Sequence, residues 1–251
     1  MNFIKSPFIP TKTVRLALID YRMDLSFKNY LLNEGIELIE TEPCKGLYQA
    51  ISGHPDILCH PLGYNRILIA ANTSESLKNQ LIQHDFELVV GNTSLERNYP
   101  KNIAYNVARI GGLAFHNTRY TDPVLKEELA RQGVKLLHVK QGYTKCSVAV
   151  VGEDALITSD RGIAKVALDC KLDVLLIRPA NILLRGMNYG FIGGSCGLTA
   201  ADEITFIGDI SRHPDYELIR DFLDKKGVRI KGQAGKHLTD YGSIIPLLEE
   251  G

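Results

Sequence analysis

The chain has 251 residues, of which 45% are hydrophobic and 23% are charged, as in an ordinary globular protein. Lysine and arginine number 29, as do aspartate and glutamate, so the formal net charge is zero, which argues against nucleic acid as the main partner. No apolar run reaches the roughly 18 residues that cross a bilayer, and the first residues lack a signal-peptide pattern. We therefore expect a cytoplasmic protein with no membrane association.

An apolar strand followed by a helix recurs five times along the chain. The predicted first strands are residues 14–19, 66–71, 112–117, 155–160 and 203–208. Their spacing averages roughly 45 to 50 residues, within the range of propellers and repeat arrays. The recurrence predicts one structural unit repeated five times.

Each predicted helix begins at a residue suited to a helix start. These residues are Asp24, Thr73 with Ser74, Asp122 with Pro123, Ser159 with Asp160, and His213 with Pro214. Ser, Thr and Asp side chains accept hydrogen bonds from free N–H groups of the first turn, and proline is tolerated there. Three of the helices are expected to end at Gly35, Gly133 and Gly227, because glycine readily adopts the left-handed cap.

A second strand follows each helix, and a loop then leads to a third strand. The second strands are predicted at 36–41, 86–91, 134–139, 173–178 and 228–232. The third strands are expected around Asp56, Asn106, Lys145 with Cys146, Asn188 and Asp240. The units are then approximately 14–63, 64–111, 112–153, 154–201 and 202–251, within a single domain over 1–251. One unit cannot bury its sheet alone, so we predict an α/β propeller of five β-α-β-β blades with pseudo-five-fold symmetry.

This pattern resembles the pentein superfamily, whose members are five-bladed β/α propellers. The superfamily includes guanidino-group-modifying enzymes, namely amidinotransferases, arginine and agmatine deiminases and dimethylarginine dimethylaminohydrolase, as well as a ribosome anti-association factor. Three segments carry the local likeness: 54–63 (HPDILCHPLG), 142–150 (GYTKCSVAV) and 238–247 (LTDYGSIIPL). They are similar to the segments that present, in order, a carboxylate, the catalytic histidine and the nucleophilic cysteine.

The resemblance implies the fold but not the usual chemistry. A cysteine thiolate attacks the guanidinium carbon in those enzymes, a histidine moves protons, and carboxylates hold the cation. Here the histidine position offers Tyr143 or Thr144, and the terminal cysteine position falls in 240–242, which contains no cysteine. Asp56 retains the carboxylate. The chain therefore resembles a bacterial member of the superfamily without the usual catalytic histidine and C-terminal cysteine.

Two cysteines are candidates for a rearranged nucleophile. Cys196 lies in the glycine-rich segment 190–202, where free N–H groups could bind an anion; the alternative is a tight turn that buries the thiol. Cys146 follows Lys145, whose ammonium would lower the pKa of a neighbouring thiol; the alternative is that adjacent strand residues point to opposite faces. The five cysteines are scattered with no CxxC pair, so we expect reduced thiols.

Five polar residues occupy comparable places in their units and predict a ring around the axis: Asp56, Asn106, Lys145, Asn188 and Asp240. Such a ring suits a small polar ligand, although any closed propeller also needs polar groups to solvate its channel.

His60 is the sixth candidate for ligand binding, because it stands four residues from Asp56 on the same predicted strand. It could instead be a hydrogen-bonded histidine at a strand end. Arg109, Arg178 and Arg185 add positive charge near the same loops that could select a carboxylate.

Metal and cofactor chemistry receive little support. His54, Cys59 and His60 could ligate a metal, but no second cluster with zinc-like spacing accompanies them, so no metal site is predicted. The segment 190–197 lacks the lysine and spacing of a phosphate-binding P-loop, and no cofactor is expected.

Two functional hypotheses remain. In the first, the ring binds a small polar ligand of guanidino, amidino or amino-acid-like character without Cys–His chemistry, or binds a protein partner or a second copy of itself. In the second, it is an amidinohydrolase- or deiminase-type enzyme that uses Cys146 or Cys196. The missing histidine and terminal cysteine favour the first.

Overall fold

Sixteen strands and seven α-helices form in the computed structural model, which describes residues 1–251. The strands are β1 Asn2–Phe3, β2 Val14–Ile19, β3 Glu37–Glu40, β4 Cys59–Gly63, β5 Arg66–Ile69, β6 Glu87–Val90, β7 Ala108–Ile110, β8 Leu113–His116, β9 Lys135–His138, β10 Val148–Val150, β11 Ala155–Thr158, β12 Asp173–Leu176, β13 Cys196–Ala200, β14 Glu203–Phe206, β15 Arg229–Gly232 and β16 Ile245–Glu249. The helices are α1 Leu25–Asn33, α2 Pro55–Leu58, α3 Glu75–Gln83, α4 Pro123–Arg131, α5 Thr144–Ser147, α6 Arg161–Asp169 and α7 Tyr216–Lys225.

The strands form five small sheets that repeat one pattern. Their orders are β4-β5-β6, β7-β8-β9, β10-β11-β12, β13-β14-β15 and β1-β16-β2-β3. The first strand of each predicted unit is parallel to the strand after its helix. It is antiparallel to the strand before it, except that β2 of the first unit pairs with β16 from the end of the chain. The predicted five-bladed α/β propeller is confirmed.

The last strand of the chain closes the ring. β16 pairs with β2, so the C-terminal strand completes the first sheet, and β1 adds on its other side. β7, β10, β13 and β16 contact one another in turn, which places these strands on the inside of the ring. The inner strands of neighbouring sheets pack against one another and cover these edges around the axis.

Residues at the helix ends explain where several helices begin and end. Side chains of Ser74, Asp122 and Asp160 accept hydrogen bonds from first-turn N–H groups, as predicted. Asp24 precedes α1 but makes no such bond, because its carboxylate pairs with Arg185 at 2.9 Å. The predicted terminal glycines, at 35, 133 and 227, all have positive φ.

One apolar core runs through all five sheets. It contains 58 buried residues, among them Leu16, Ile67, Phe115, Leu156 and Ile204, each from a different sheet. The outer strands β6, β9 and β12 keep exposed ends, because the helices cover only part of them. No helix is long and apolar enough to span a membrane.

The N-terminal segment reaches the interior of the ring. Phe8 is buried, and its ring packs edge-on against His60 with centroids 5.6 Å apart. The Lys145 ammonium lies 5.2 Å from the centre of the same ring. Phe8 therefore occupies interior space beside the polar residues of the axis.

Two expectations about the third strands are wrong in detail. Asp56 and Cys146 lie in one-turn helices, α2 and α5, that precede the inner strands, so Asp56 and His60 do not share a strand. In the fourth unit the inner strand is β13, which begins at Cys196, and not the segment around Asn188. Each of these turns is too short to produce a periodic sequence signal.

Candidate functional site

Short turns at the entrances to the inner strands bring polar side chains together at the axis. The turns are α2, α5, the 3-10 helix Gly193–Ser195 and the segment 240–243, and Asn106 precedes β7 in the same way. Each comes from a different unit of the ring. Of the five residues of the predicted ring, Asp56, Asn106, Lys145 and Asp240 lie on or directly before these turns, and Asn188 does not.

Cys146 is the centre of a buried hydrogen-bonded group. Its Sγ lies 3.1 Å from Oδ2 and 3.3 Å from Oδ1 of Asp56, and Nδ2 of Asn106 donates to the sulfur at 3.2 Å. Oδ1 of Asn106 accepts from the backbone N–H groups of Lys145 and Cys146. Burial first, and then the Asp56 charge, raises the pKa of Cys146 well above its usual value. The thiol is consequently protonated and donates to the carboxylate.

Lys145 is buried without a direct carboxylate partner. Its Nζ donates to Oγ of Ser243 at 2.8 Å and to the carbonyl oxygen of Gly193 at 3.4 Å. Oγ of Ser243 lies 2.9 Å from Oδ2 of Asp56, to which it can donate its single proton. Ser243 thus links the ammonium to the carboxylate that contacts Cys146.

Asp240 is held in place by backbone groups. Its carboxylate accepts from the N–H of Phe191 at 2.8 Å and from the N–H of Gly242 at 3.0 Å. A Cβ at Gly194 would lie 2.0 Å from its Oδ1, so only glycine at 194 leaves room for it. Burial, followed by the Asp56 charge, raises the pKa of Asp240 to about 7.

His54 lies beside these carboxyl groups without a hydrogen bond. Its Nδ1 is 3.9 Å from Oδ1 of Asp240, and neither ring nitrogen has a partner although the residue is only 1% exposed. Burial lowers the pKa of His54 to about 4. The ring is neutral at pH 7, so the approach to Asp240 is not an ion pair.

A pocket of about 340 Å³ opens above this group. His54, Cys146 and Asp240 form what we call the pocket floor. Its walls are largely aromatic and comprise Tyr48, Tyr99, Tyr143, Tyr189 and Phe191, with Leu184 and Met187 beside them. The volume is within the range of small-molecule sites, about 300 to 1,000 Å³. We refer to it as the tyrosine-walled pocket.

The aromatic walls form a connected series of rings. Centroids are 6.0 Å apart for Tyr99 and Tyr143, 6.4 Å for Tyr143 and Phe191, and 5.7 Å for Phe191 and Tyr189. The hydroxyl oxygens of Tyr48 and Tyr143 lie 3.5 Å apart, within hydrogen-bond distance. Aromatic rings attract cations, and so does a carboxylate. The walls and the floor therefore both favour a positively charged ligand.

A second depression adjoins the first and is lined by two arginines. It has a volume of about 510 Å³ and shares Tyr48, Leu184, Met187 and Asp240 with the tyrosine-walled pocket. Arg22 and Arg185 line it. Arg22 is paired with Asp20 and Arg185 with Asp24, and the Arg185 side chain is 66% exposed.

Asp56, Asn106 and Lys145 do not line the pocket, although they belong to the hydrogen-bonded group around Cys146. Three other sequence-predicted site residues lie apart from that group. His60 is buried on β4 against Phe8, and neither ring nitrogen has a hydrogen-bond partner. Asn188 is exposed on the loop before the fourth inner strand and contributes only to the pocket rim. Cys196 is buried at the start of β13, where its Sγ donates to the carbonyl oxygen of Ile192 and burial raises its pKa to about 12.

Sequence reasoning did not identify several residues that matter here. His54 entered only as a metal-ligand alternative, and Ser243 and the wall tyrosines did not enter as ligand contacts. The available signal was the position of His54, which directly precedes Pro55 at the start of α2 and lies two residues from Asp56. The tyrosines lie on separate loops that no local pattern connects.

Comparison with known proteins places the chain among relatives. A sequence model of DUF6873, a family of unknown function, matches residues 18–245. The chain belongs to this family. Comparison with curated protein sequences gives no match.

Solved structures show that this DUF6873 protein has the pentein fold. Inosamine-phosphate amidinotransferase from Streptomyces griseus is 8% identical with a TM-score of 0.62, over 100% of this chain and 98% of that one. Dimethylarginine dimethylaminohydrolase from Pseudomonas aeruginosa, a cysteine-to-serine mutant with citrulline, is 10% identical with a TM-score of 0.55, over 88% and 92%. C. jejuni agmatine deiminase is 9% identical with a TM-score of 0.54, over 91% and 90%.

The segments that resemble the catalytic parts of pentein enzymes border the pocket. Tyr143, one of the two residues at the expected histidine position, and Asp240, in the segment expected to carry the cysteine, both line the tyrosine-walled pocket. Cys146 is the only cysteine that lines it. No histidine hydrogen-bonds to that thiol, whose side-chain partners are Asp56 and Asn106.

Proposed function

We propose that this protein binds a small organic cation, of the guanidinium or amidinium class, in the tyrosine-walled pocket. The observation that carries the proposal is the lining of the pocket: Asp240, whose carboxyl group is buried at the floor, and aromatic side chains on the walls. A planar cation placed there would meet both kinds of attraction. Each cation–aromatic contact stabilises the complex by about 0.5–2 kcal/mol, depending on desolvation.

The adjoining depression suggests that the ligand carries an acidic tail. Arg22 and Arg185 border the space that opens from the tyrosine-walled pocket. Guanidinium groups recognise carboxylates with two parallel hydrogen bonds. An amino-acid-like molecule could thus place its cationic end on the floor and its carboxylate near the arginines.

Binding without catalysis fits the floor better than catalysis does. The Cys146 thiol is buried and bonded to a carboxylate, which disfavours the thiolate that attack requires. The enzymatic alternative keeps one supporting observation, namely that Cys146 faces the pocket. The names of the structural relatives, which include an amidinotransferase and an agmatine deiminase, are compatible with either function.

Calorimetric titration in a chelator-containing buffer tests the proposal. Arginine and agmatine carry the cation, and citrulline is a nearly isosteric neutral control. We expect the two cations to bind and citrulline to bind at least about tenfold more weakly, because a lost charge-assisted hydrogen bond is worth more than 1.4 kcal/mol.

Asp240→Asn supplies the matched protein variant. It keeps the shape of the side chain and removes its charge, so we expect about a tenfold or larger loss of affinity for the cations. The exposed Asp224→Asn is the control and keeps the affinity. Equal binding of citrulline and arginine, or no binding of any of the three, would contradict the proposal.

A further inference from the structure

Three buried side chains from two units of the ring point ligand atoms at one small volume. His54, Asp56 and Cys146 each offer one nitrogen, oxygen or sulfur atom, and these atoms all lie within 4.8 Å of one another. All three residues are at most 2% exposed. His54 and Cys146 also line the tyrosine-walled pocket, so the group is reached from it.

His54 gives an independent indication that this volume suits a ligand. Both of its ring nitrogens are buried without a hydrogen-bond partner. A buried imidazole without partners is costly, because each polar atom has lost its bonds to water. A metal ion would accept the lone pair of one ring nitrogen.

The surrounding residues already support the candidate ligands. Asn106 donates its amide N–H to the Cys146 sulfur at 3.2 Å, and Ser243 donates to the Asp56 carboxylate at 2.9 Å. Outer hydrogen bonds of this kind orient metal ligands and tune their basicity. Neither Asn106 nor Ser243 would need to move when a metal binds.

The distances are close to those of a tetrahedral site. With zinc–sulfur bonds of about 2.3 Å and zinc–nitrogen or zinc–oxygen bonds of about 2.0–2.2 Å, ligand atoms lie roughly 3.3–3.7 Å apart. The sulfur and the Asp56 oxygens are already at 3.1 and 3.3 Å. Bringing the histidine nitrogen in from at most 4.8 Å takes a movement of about 1 Å.

We propose that His54, Asp56 and Cys146 form a binding site for a divalent transition metal ion of the zinc class, with its fourth position facing the tyrosine-walled pocket. One thiolate, one imidazole and one carboxylate are ligands that select zinc over calcium or magnesium. Metal binding replaces the thiol proton of Cys146, which passes to solvent. The set differs from the sequence-based alternative, because Cys59 and His60 point elsewhere in the interior.

The metal site is a separate proposal from the organic-cation site, although both use residues of the pocket floor. A zinc ion held by His54 and Cys146 would add positive charge beside Asp240 on the same floor, so we expect the two ligands to compete. Zinc is titrated without organic ligand, and organic cations are titrated with chelator. Failure of one proposal therefore leaves the other measurable.

Cobalt(II) is the direct spectroscopic probe. Added to the intact protein, one equivalent of Co²⁺ should produce a sulfur-to-metal charge-transfer band in the near ultraviolet together with the visible bands of a tetrahedral site. One equivalent of Zn²⁺ should abolish both. Absence of the charge-transfer band from the folded wild-type protein would overturn the proposal without any variant.

Zinc affinity, measured against a chromophoric chelator, tests the ligand assignment. Cys146→Ser and His54→Gln should each weaken zinc binding by about 100-fold or more, since removal of even an outer-shell partner costs about 10- to 100-fold. Cys196→Ser is the matched control, because that thiol is buried but bonds only to a backbone carbonyl. A cobalt band or zinc affinity that survives Cys146→Ser would also overturn the assignment.

Discussion

Gly194→Ala is the substitution whose effect follows most directly from the geometry of the floor. The added Cβ would lie 2.0 Å from Oδ1 and 2.5 Å from Cγ of Asp240. Ordinary contact begins near 3.4 Å, so the carboxylate would have to move by about 1.4 Å. Position 194 does not have positive φ, so the contact alone and no backbone strain accounts for the effect.

The displacement breaks the hydrogen bonds that hold Asp240. Its carboxylate accepts from the N–H groups of Phe191 and Gly242, and each bond to a charged group is worth about 1.5–3 kcal/mol. We therefore expect a loss of about 3–6 kcal/mol in the free energy of unfolding. For a chain of this size, the melting temperature should fall by about 6–24 °C. Arginine binding should be lost as well.

Urea unfolding followed by circular dichroism measures the free energy of unfolding. Circular dichroism is used because the chain has no tryptophan for fluorescence detection. Gly152→Ala is the matched control, because a Cβ there meets no atom within 4 Å. It should change the unfolding free energy by less than about 0.5 kcal/mol. A Gly194→Ala protein that unfolds like the Gly152→Ala protein and still binds arginine would refute the reasoning.

Two other predictions concern residues that do not contact Asp240. Burial lowers the pKa of His116 from 6.5 to about 4, so its stabilising contribution is complete above pH 6.5 and is lost as the pH falls toward 4. His116→Gln should therefore flatten the acid side of the stability curve by up to about 1.4 kcal/mol per pH unit, with His237→Gln at an exposed site as control, and an unchanged slope would contradict this. Iodoacetamide at neutral pH should modify the half-buried Cys170 before the other thiols, and Cys170→Ser should remove the fast phase. Faster labelling of Cys146 would instead favour the enzymatic alternative.

The repeated framework could be predicted because its signals are local. The segment 14–19 was predicted as a strand and forms β2, and 155–160 was predicted and contains β11. Apolar runs, helix caps at Ser74 and Asp122, and terminal glycines each report on a few neighbouring residues. Five similar sets of such signals were enough to indicate a ring.

The site could be predicted only in part, because it depends on contacts across the ring. Asp56 and Cys146 are 90 residues apart, and their hydrogen bond exists only after the blades close. The turns α2 and α5 have four residues each, too few for a helical pattern, so both were expected to be strands. Tyr48 and Tyr143 likewise meet only through the tertiary fold.

A crystal structure of the protein with arginine or agmatine, grown in chelator, tests the central claim most directly. The account predicts that the guanidinium lies within about 4 Å of the Asp240 carboxylate, with the faces of Tyr48 and Tyr143 beside it. A ligand bound outside the tyrosine-walled pocket, or inside it with its cationic end turned to solvent, would contradict the account.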